Sequence, residues 1–219
     1  LHWLIRLRPL QKALTNSQKI EGWMSPQELE WLGLRASMLK KDQILVEVGS
    51  WKGRSASMLL QMSKTRFYFV DTWCGSENEL SDTHVEAKTN DIYELFKANT
   101  KPFSDGKNVT HIRQSSVEGA GRFPDQSIDF LFLDAGHTFE SVTEDLKAWL
   151  PKIKYSGLIC GHDYGGGWTG VKAGVDDFGR EHGLVAANEV GTIWFYQPAS
   201  KTSTHKKHPL ITAPRLISD

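Results

Sequence analysis

The sequence predicts an α/β fold: a doubly wound, mostly parallel sheet with helices on both faces, closed by an antiparallel hairpin. Three observations predict it. Short runs rich in Val, Ile, Leu and Phe alternate with stretches of helical periodicity. Those runs are close to continuously apolar, as in strands buried on both faces, rather than alternating in-and-out. The last two runs, "LVAANEV" and "GTIWFYQ", meet at Gly191 with no helix between them, so they pair as a hairpin.

The elements follow in chain order. In "SPQELEWLGLRASMLK", Ser25 fits an N-cap and Pro26 the first helical position. Glu28 fits the third, from which its carboxylate returns to the Ser25 amide. Leu29, Leu32, Ala36 and Leu39 then give the helix one apolar face. The strand runs are "ILVEVG" (44–49), "RFYFVD" (66–71), "NVTHIRQ" (108–114), "IDFLFLD" (128–134) and "SGLICGHD" (156–163). Between them, 55–63, 85–98 and 141–153 read as helices. Val85, Ile92, Leu95 and Phe96 share one side of the second, and Val142, Leu146, Leu150 and Ile153 one side of the third. The βαβ succession implies right-handed crossovers. Residues 1–40 form an N-terminal helical segment that packs on the core and helps to form the substrate site. Residues 41–197 form the ligand-binding domain, and 198–219 a polar tail.

Composition narrows the partners. Lys and Arg (26) balance Asp and Glu (26), and no run of cations exceeds a pair. The electrostatic footprint of a nucleic-acid binder is therefore missing, and a small molecule is the expected partner. No apolar run reaches the roughly 18 residues of a membrane span. Cys74 and Cys160 lack metal-ligand spacing and read as free thiols of a reducing compartment, which points to the cytoplasm. The sequence is compatible with a homo-oligomer and does not specify one.

In such a sheet, ligands bind outside the carboxyl ends of the strands. At the first end, "VEVGSWKGRS" supplies Gly49 and Gly53 for close backbone approach, Ser50 between them, and Glu47 to accept from an amine or hydroxyl. The spacing is GxxxG, not the GxGxxG of a dinucleotide fold, and a carboxylate there suits a cationic ligand better than a pyrophosphate. Asp71 ends the second strand, placed to bind the hydroxyls of a ribose. Ser115 and Ser116 end the third, where they either contact an adenine edge or serve as turn residues. Asp134 and His137 follow the fourth, and His162 and Asp163 the fifth. Carboxylates and imidazoles at neighbouring tips can hold a divalent cation, polarise a hydroxyl or supply a base. "GGGWTG" after Tyr164 suits a loop closing over substrate.

With these residues in place the chain resembles the class I S-adenosylmethionine-dependent methyltransferases. It is most similar to the branch of the macrocin-type sugar O-methyltransferases and cephalosporin hydroxylase-like proteins. "VEVGSWKGRS", "FVDTWCGS", the stretch from "SIDFLFLDAGHTFE" to "GLICGHDY", and "TIWFY" carry the resemblance. It implies a Rossmann-like seven-stranded sheet and O-methylation of a hydroxyl on a sugar or small secondary metabolite. It also implies that Glu47, Gly49, Ser50 and Gly53 line the methionine part of S-adenosylmethionine. Asp71, Thr72 and Trp73 would then lie at the ribose, Ser115 and Ser116 near the adenine, and Asp134 at the methionine end. Metal-dependent relatives bind Mg2+ through the positions of Asp134, His162 and Asp163. His162 departs from them, since imidazole is a poor magnesium ligand. Gly136 departs too, where some sugar methyltransferases carry a catalytic Asp. His137 or His162 would act as base, with Asp134 and Asp163 anchoring a metal or orienting that base. The alternatives are an NAD(P)-dependent oxidoreductase and a non-catalytic cofactor-binding protein.

Overall fold

The computed structural model describes residues 2–75 and 82–198. Residues 76–81, part of a stretch (76–89) whose sequence suggests a role in choosing the acceptor, and 199–219 of the polar tail lie outside the described residues. The strands are β1 (Ile44–Val48), β2 (Arg66–Asp71), β3 (Asn108–Arg113), β4 (Ile128–Leu133), β5 (Ile153–Gly161), β6 (Leu184–Val190) and β7 (Ile193–Pro198). The helices are α1 (His2–Ser17), α2 (Pro26–Ala36), α3 (Arg54–Met62), α4 (Asp82–Thr89), α5 (Ile92–Ser104), α6 (Ser116–Ala120), α7 (Phe139–Trp149) and α8 (Thr169–His182).

One seven-stranded sheet runs in the order β3-β2-β1-β4-β5-β7-β6. Its first five strands are parallel, and β7 is antiparallel to both β5 and β6. This is the doubly wound sheet with a final hairpin that the sequence predicts. Helices α1, α2, α3 and α5 pack as one group and α6, α7 and α8 as another. Strand β4 is buried at every residue, and Leu45, Phe67, Phe69, Phe130 and Phe132 are among its largest core neighbours and members. The apolar runs are continuous because both of their faces are covered. Among the described residues no helix is long and apolar enough to cross a membrane.

Three local readings are corrected. The expected helix at 85–98 is two helices, because Asp91 caps α5 by accepting the Glu94 amide at 3.1 Å. Ile92 and Phe96 are buried there, while Val85 stays 64% exposed. The helix expected to run to Ile153 stops at Trp149, since Pro151 turns the chain through a 3-10 turn and Ile153 already belongs to β5. Helix α8, not anticipated, follows the glycine-rich loop and buries Val171, Val175 and Phe178.

The N-terminal helix α2 begins as its sequence predicts. Ser25 Oγ accepts from the Glu28 amide, and Glu28 Oε2 accepts from the Ser25 amide at 2.7 Å. Two further bonds tie α2 to β6: Trp31 Nε1 and Arg35 Nη2 both donate to Glu189 Oε2, at 2.7 and 2.6 Å. Arg54, at the start of α3, fastens the segment ahead of α2 by donating to the carbonyls of Ile20, Gly22 and Met24.

Candidate active site

Strand order reverses between β1 and β4, and the carboxyl ends there come together tightly. The Asp134 amide donates to the Val48 carbonyl at 2.8 Å. Gly49 has φ +85°, and a Cβ on it would lie 1.9 Å from the Asp134 carbonyl oxygen. Only glycine fits this position. Gly53, at φ +91°, is the N-cap of α3, with no side chain capping that helix, so the start of α3 faces the loop with its amides.

A cavity of about 780 Å³ opens over these strand ends. Gly49, Ser50, Gly53, Asp71, Thr72, Ser115, Ser116, Asp134, His137, His162 and Asp163 all line it, so the strand ends bring eleven of the thirteen expected site residues to one wall. Glu47 and Trp73 are not on that wall. Glu47 is fully buried beneath the loop, where Ser50 Oγ donates to its Oε2 at 2.7 Å. Its Oε1 is buried with no hydrogen-bond partner. Burial, reinforced by the charges of Asp134 and Asp71, pushes the Glu47 carboxyl up to about 8, against hydrogen bonds from Ser55 and Ser50. Trp73 is buried on Tyr93 and Phe96, with Nε1 donating to the Trp51 carbonyl at 3.0 Å.

Asp71 organises the second strand end. Its Oδ2 accepts from the Trp51 amide at 2.8 Å and its Oδ1 from the Trp73 amide at 2.6 Å. Both tryptophans sit at positive φ, 44° and 54°, a conformation unusual for such residues and maintained by these bonds. At the third end the two serines carry out protein-internal tasks. Ser115 caps α6 in a capping box with Glu118. Ser116 Oγ accepts from Trp149 Nε1 at 2.9 Å and donates to Asp145, whose carboxyl burial holds up at about 6. The turn-residue reading of Ser115 and Ser116 thus accounts for both hydroxyls, although both residues remain on the wall.

The fourth and fifth ends form one charged cluster. His137 Nε2 lies 3.0 Å from Asp163 Oδ2, and the His137 ring stacks on Trp168 at 4.2 Å. His162 Nδ1 lies 3.2 Å from Asp163 Oδ1 and 3.5 Å from Asp134 Oδ1. On its other side, His162 Nε2 lies 3.3 Å from Glu28 Oε1, an ion-pair contact rather than an aligned hydrogen bond. Burial opposes charge on His162, but Asp134, Asp163 and Glu28 outweigh it and push the imidazole up to about 12. The three carboxylates around it favour its charged form. Burial likewise opposes charge on Asp163, yet His137 and His162 hold its carboxyl well below the usual range. Asp163 is itself at φ +63°.

Two members of this cluster were not anticipated as site residues. Glu28 reads from sequence as a helix cap, but its Oε1 also accepts from the Thr192 amide at 2.7 Å and Thr192 Oγ1 at 3.0 Å. Thr192 Oγ1 in turn accepts from the Asp163 amide at 3.2 Å. The N-terminal helix and the final hairpin therefore meet behind the β5 tip. No local spacing signals that meeting.

A family model described as a methyltransferase domain matches residues 46–164, more than half of the chain. An uncharacterized protein of Acanthamoeba polyphaga mimivirus is 28% identical over 167 residues, 73% of this chain and 69% of that protein. An uncharacterized Sinorhizobium fredii protein is 26% identical over 54% of this chain, which spans 13% of it. Among solved structures, the O-methyltransferase NovP superposes with TM-score 0.60 at 16% identity, covering 80% of each chain. The SAH-bound Podospora anserina methyltransferase PaMTH1 gives 0.58 at 13% identity, covering 87% of each. These two likenesses are of fold.

Proposed function

Because the chain belongs to the methyltransferase-domain family, we propose that it is an S-adenosylmethionine-dependent O-methyltransferase acting on a hydroxyl of a small molecule. The observation that carries this reading is the convergence of the Gly49 cradle, Asp71, and the His137–Asp163–His162 cluster on one cavity. That NovP is an O-methyltransferase and PaMTH1 a methyltransferase bound to SAH supports it.

The residues present suit that cofactor. Gly49 leaves room where any Cβ would collide, and Asp71 presents a carboxylate to the hydroxyls of a ribose. Asp134 makes the methionine end favourable to cations, and its charge adds to the burial that raises the Glu47 carboxyl. Glu47 acts through Ser50 and Ser55, which line the cavity while it lies beneath them. Bound there, S-adenosylmethionine supplies an electrophilic methyl group on a sulfonium.

The chain's own residues supply the rest. Ionised Asp163 is an acceptor only, so it selects the His137 tautomer with the proton on Nε2. His137, on the cavity wall, takes the hydroxyl proton as the new C–O bond forms. Stacking on Trp168 fixes the plane of that ring. His162, already protonated, cannot be the base; it balances Glu28, Asp134 and Asp163 and holds the last two in place.

Magnesium suits this cluster poorly: Asp134, His162 and Asp163 offer ligand atoms within 4.8 Å of one another, but imidazole is a poor ligand for a hard ion, and His162 already sits between the two carboxylates as their ion-pair partner. Treatment with EDTA is therefore expected to leave turnover unchanged within about twofold. A loss of tenfold or more that magnesium restores would return Asp134 and Asp163 to the role of ligands.

Calorimetric titration with S-adenosylhomocysteine, with NAD as the comparison, tests the cofactor directly. Binding of NAD alone overturns the proposal. In the same assay Asp71→Asn is expected to weaken S-adenosylhomocysteine by roughly 10- to 100-fold, the loss of a charge-assisted pair of hydrogen bonds. An unchanged affinity would remove Asp71 from the ribose site. The segment ahead of α2 contributes Glu21 to Met24 to the cavity, which supports its share in choosing the acceptor. The free thiols Cys74 and Cys160 support a cytoplasmic location.

A further inference from the structure

Two sides of the cavity are joined through its glycine loop. The segment 20–24 ahead of α2 is buried at its ends, Ile20 and Met24, while Glu21 and Trp23 between them are exposed and line the cavity. Side chains of the loop itself fasten this arch. Lys52 Nζ lies 2.8 Å from Glu21 Oε2, Arg54 Nη1 donates to the carbonyls of Gly22 and Met24 at 2.6 and 2.9 Å, and the Trp51 ring meets that of Trp23 at 6.5 Å. On the other side stands α4, whose Thr83 also lines the cavity. Its Glu86 Oε1 lies 2.5 Å from the same Lys52 Nζ.

One ammonium therefore ties both sides to the loop that cradles the cofactor. Lys52 is only 5% exposed, a placement that an ammonium keeps when carboxylates pair with it. The loop backbone is held by other means: the Lys52 carbonyl accepts from Asn99 Nδ2 at 2.9 Å, and the Trp51 amide donates to Asp71. The Lys52 side chain is thus free of the task of shaping the loop. Glu21 is largely exposed, and an ion pair with an exposed partner is weak enough to open and close readily.

We propose that Lys52 is a positioning residue that latches the arch 20–24 and α4 over the cavity, so that cofactor and product pass only when the latch opens. This rests on the methyl-transfer reading, since S-adenosylhomocysteine is the ligand that passes. The latch is made of protein groups alone. Loosening it hastens entry and exit by the same factor and leaves the affinity where it was.

Stopped-flow tryptophan fluorescence on the full chain, following association and displacement of S-adenosylhomocysteine, tests it. Lys52→Met is expected to raise kon and koff together by roughly three- to tenfold, the loss of two weak ion pairs, with Kd within about twofold of wild type. Lys52→Arg keeps the charge and is expected to return both rates to within about twofold of wild type. Glu21→Gln, on an exposed side chain, releases half of the latch and is expected to raise both rates by roughly two- to fivefold; it decides alone should Lys52→Met not fold. A rise in koff with a matching loss of affinity would make Lys52 a prop of the cofactor loop and overturn the latch. Rates unchanged in Lys52→Met and Glu21→Gln would overturn it too. Absence of S-adenosylhomocysteine binding to the wild type overturns the methyl-transfer reading, and the latch with it, whereas the two kinetic outcomes leave that reading intact.

Discussion

Replacement of His137 by alanine is expected to lower kcat by roughly 10²- to 10⁴-fold, the range supplied by a positioned general base, while S-adenosylhomocysteine affinity changes by less than about threefold. The split follows from position. His137 comes from the loop after β4, lines the cavity and contacts Asp163 and Trp168. Gly49, Asp71 and the start of α3 are untouched by its loss. Steady-state turnover and calorimetry on the same preparation check it. Equal losses of turnover and affinity would mean that His137 shapes the cofactor site instead. His162→Gln offers a contrast, because it removes the charge that offsets the repulsion between the carboxylates and should impair folding stability as well as rate.

Glu28→Ala is expected to destabilise the protein by about 3 to 5 kcal/mol, the summed cost of a lost helix cap, an unsatisfied Thr192 amide and a weakened ion cluster. Three things fail together: the cap on α2, the acceptor for the Thr192 amide and hydroxyl, and one of three carboxylates around His162. Glu28→Gln keeps a residue able to complete the cap and removes the charge, so the difference between the two variants isolates the ion pair. The pH dependence has a definite sign. Burial opposes ionisation of Glu28, but His162, Thr192 and Ser25 hold its carboxyl well below its ordinary 4.5. Its contribution is therefore present above about 4.5 and is lost as pH falls below that value. His162 works in the opposite sense, since its pKa is raised: its contribution is complete below its ordinary 6.5 and is lost only as pH rises towards about 12. Urea unfolding of wild type and Glu28→Ala should show a gap that is wide at pH 6 and narrows towards pH 3. A gap independent of pH would reduce Glu28 to its cap.

Much of this was legible wherever backbone geometry alone sets the residue. Gly49 reads from sequence as a close-approach glycine because nothing larger can pass the Asp134 carbonyl. The strand ends were legible because continuous apolar runs stop abruptly at Glu47, Asp71, Asp134 and His162. Failures came where a local explanation was already sufficient. Glu28 satisfied a capping box, which concealed its second set of partners 164 positions away. The glycines of 165–167 suggested only a loop, although Val171, Val175 and Phe178 behind them are spaced for α8 and Gly183 ends it. The charge on His162 could not be read at all, since it depends on carboxylates arriving from α2 and from the ends of β4 and β5. Glu47 was legible as part of the first strand end but not as a carboxyl buried beneath its loop.

The Glu28–Thr192 contact also bears on the order in which the molecule becomes competent. Strands β1 to β5, with the glycine loop, Asp71 and both histidines, are complete in a chain that has reached His162, whereas the anchor of Glu28 emerges 30 residues later at Thr192. Contacts of such long sequence separation close late, after the local ones have formed. A nascent or partly folded chain would thus acquire the cavity first and the fixed charge cluster last.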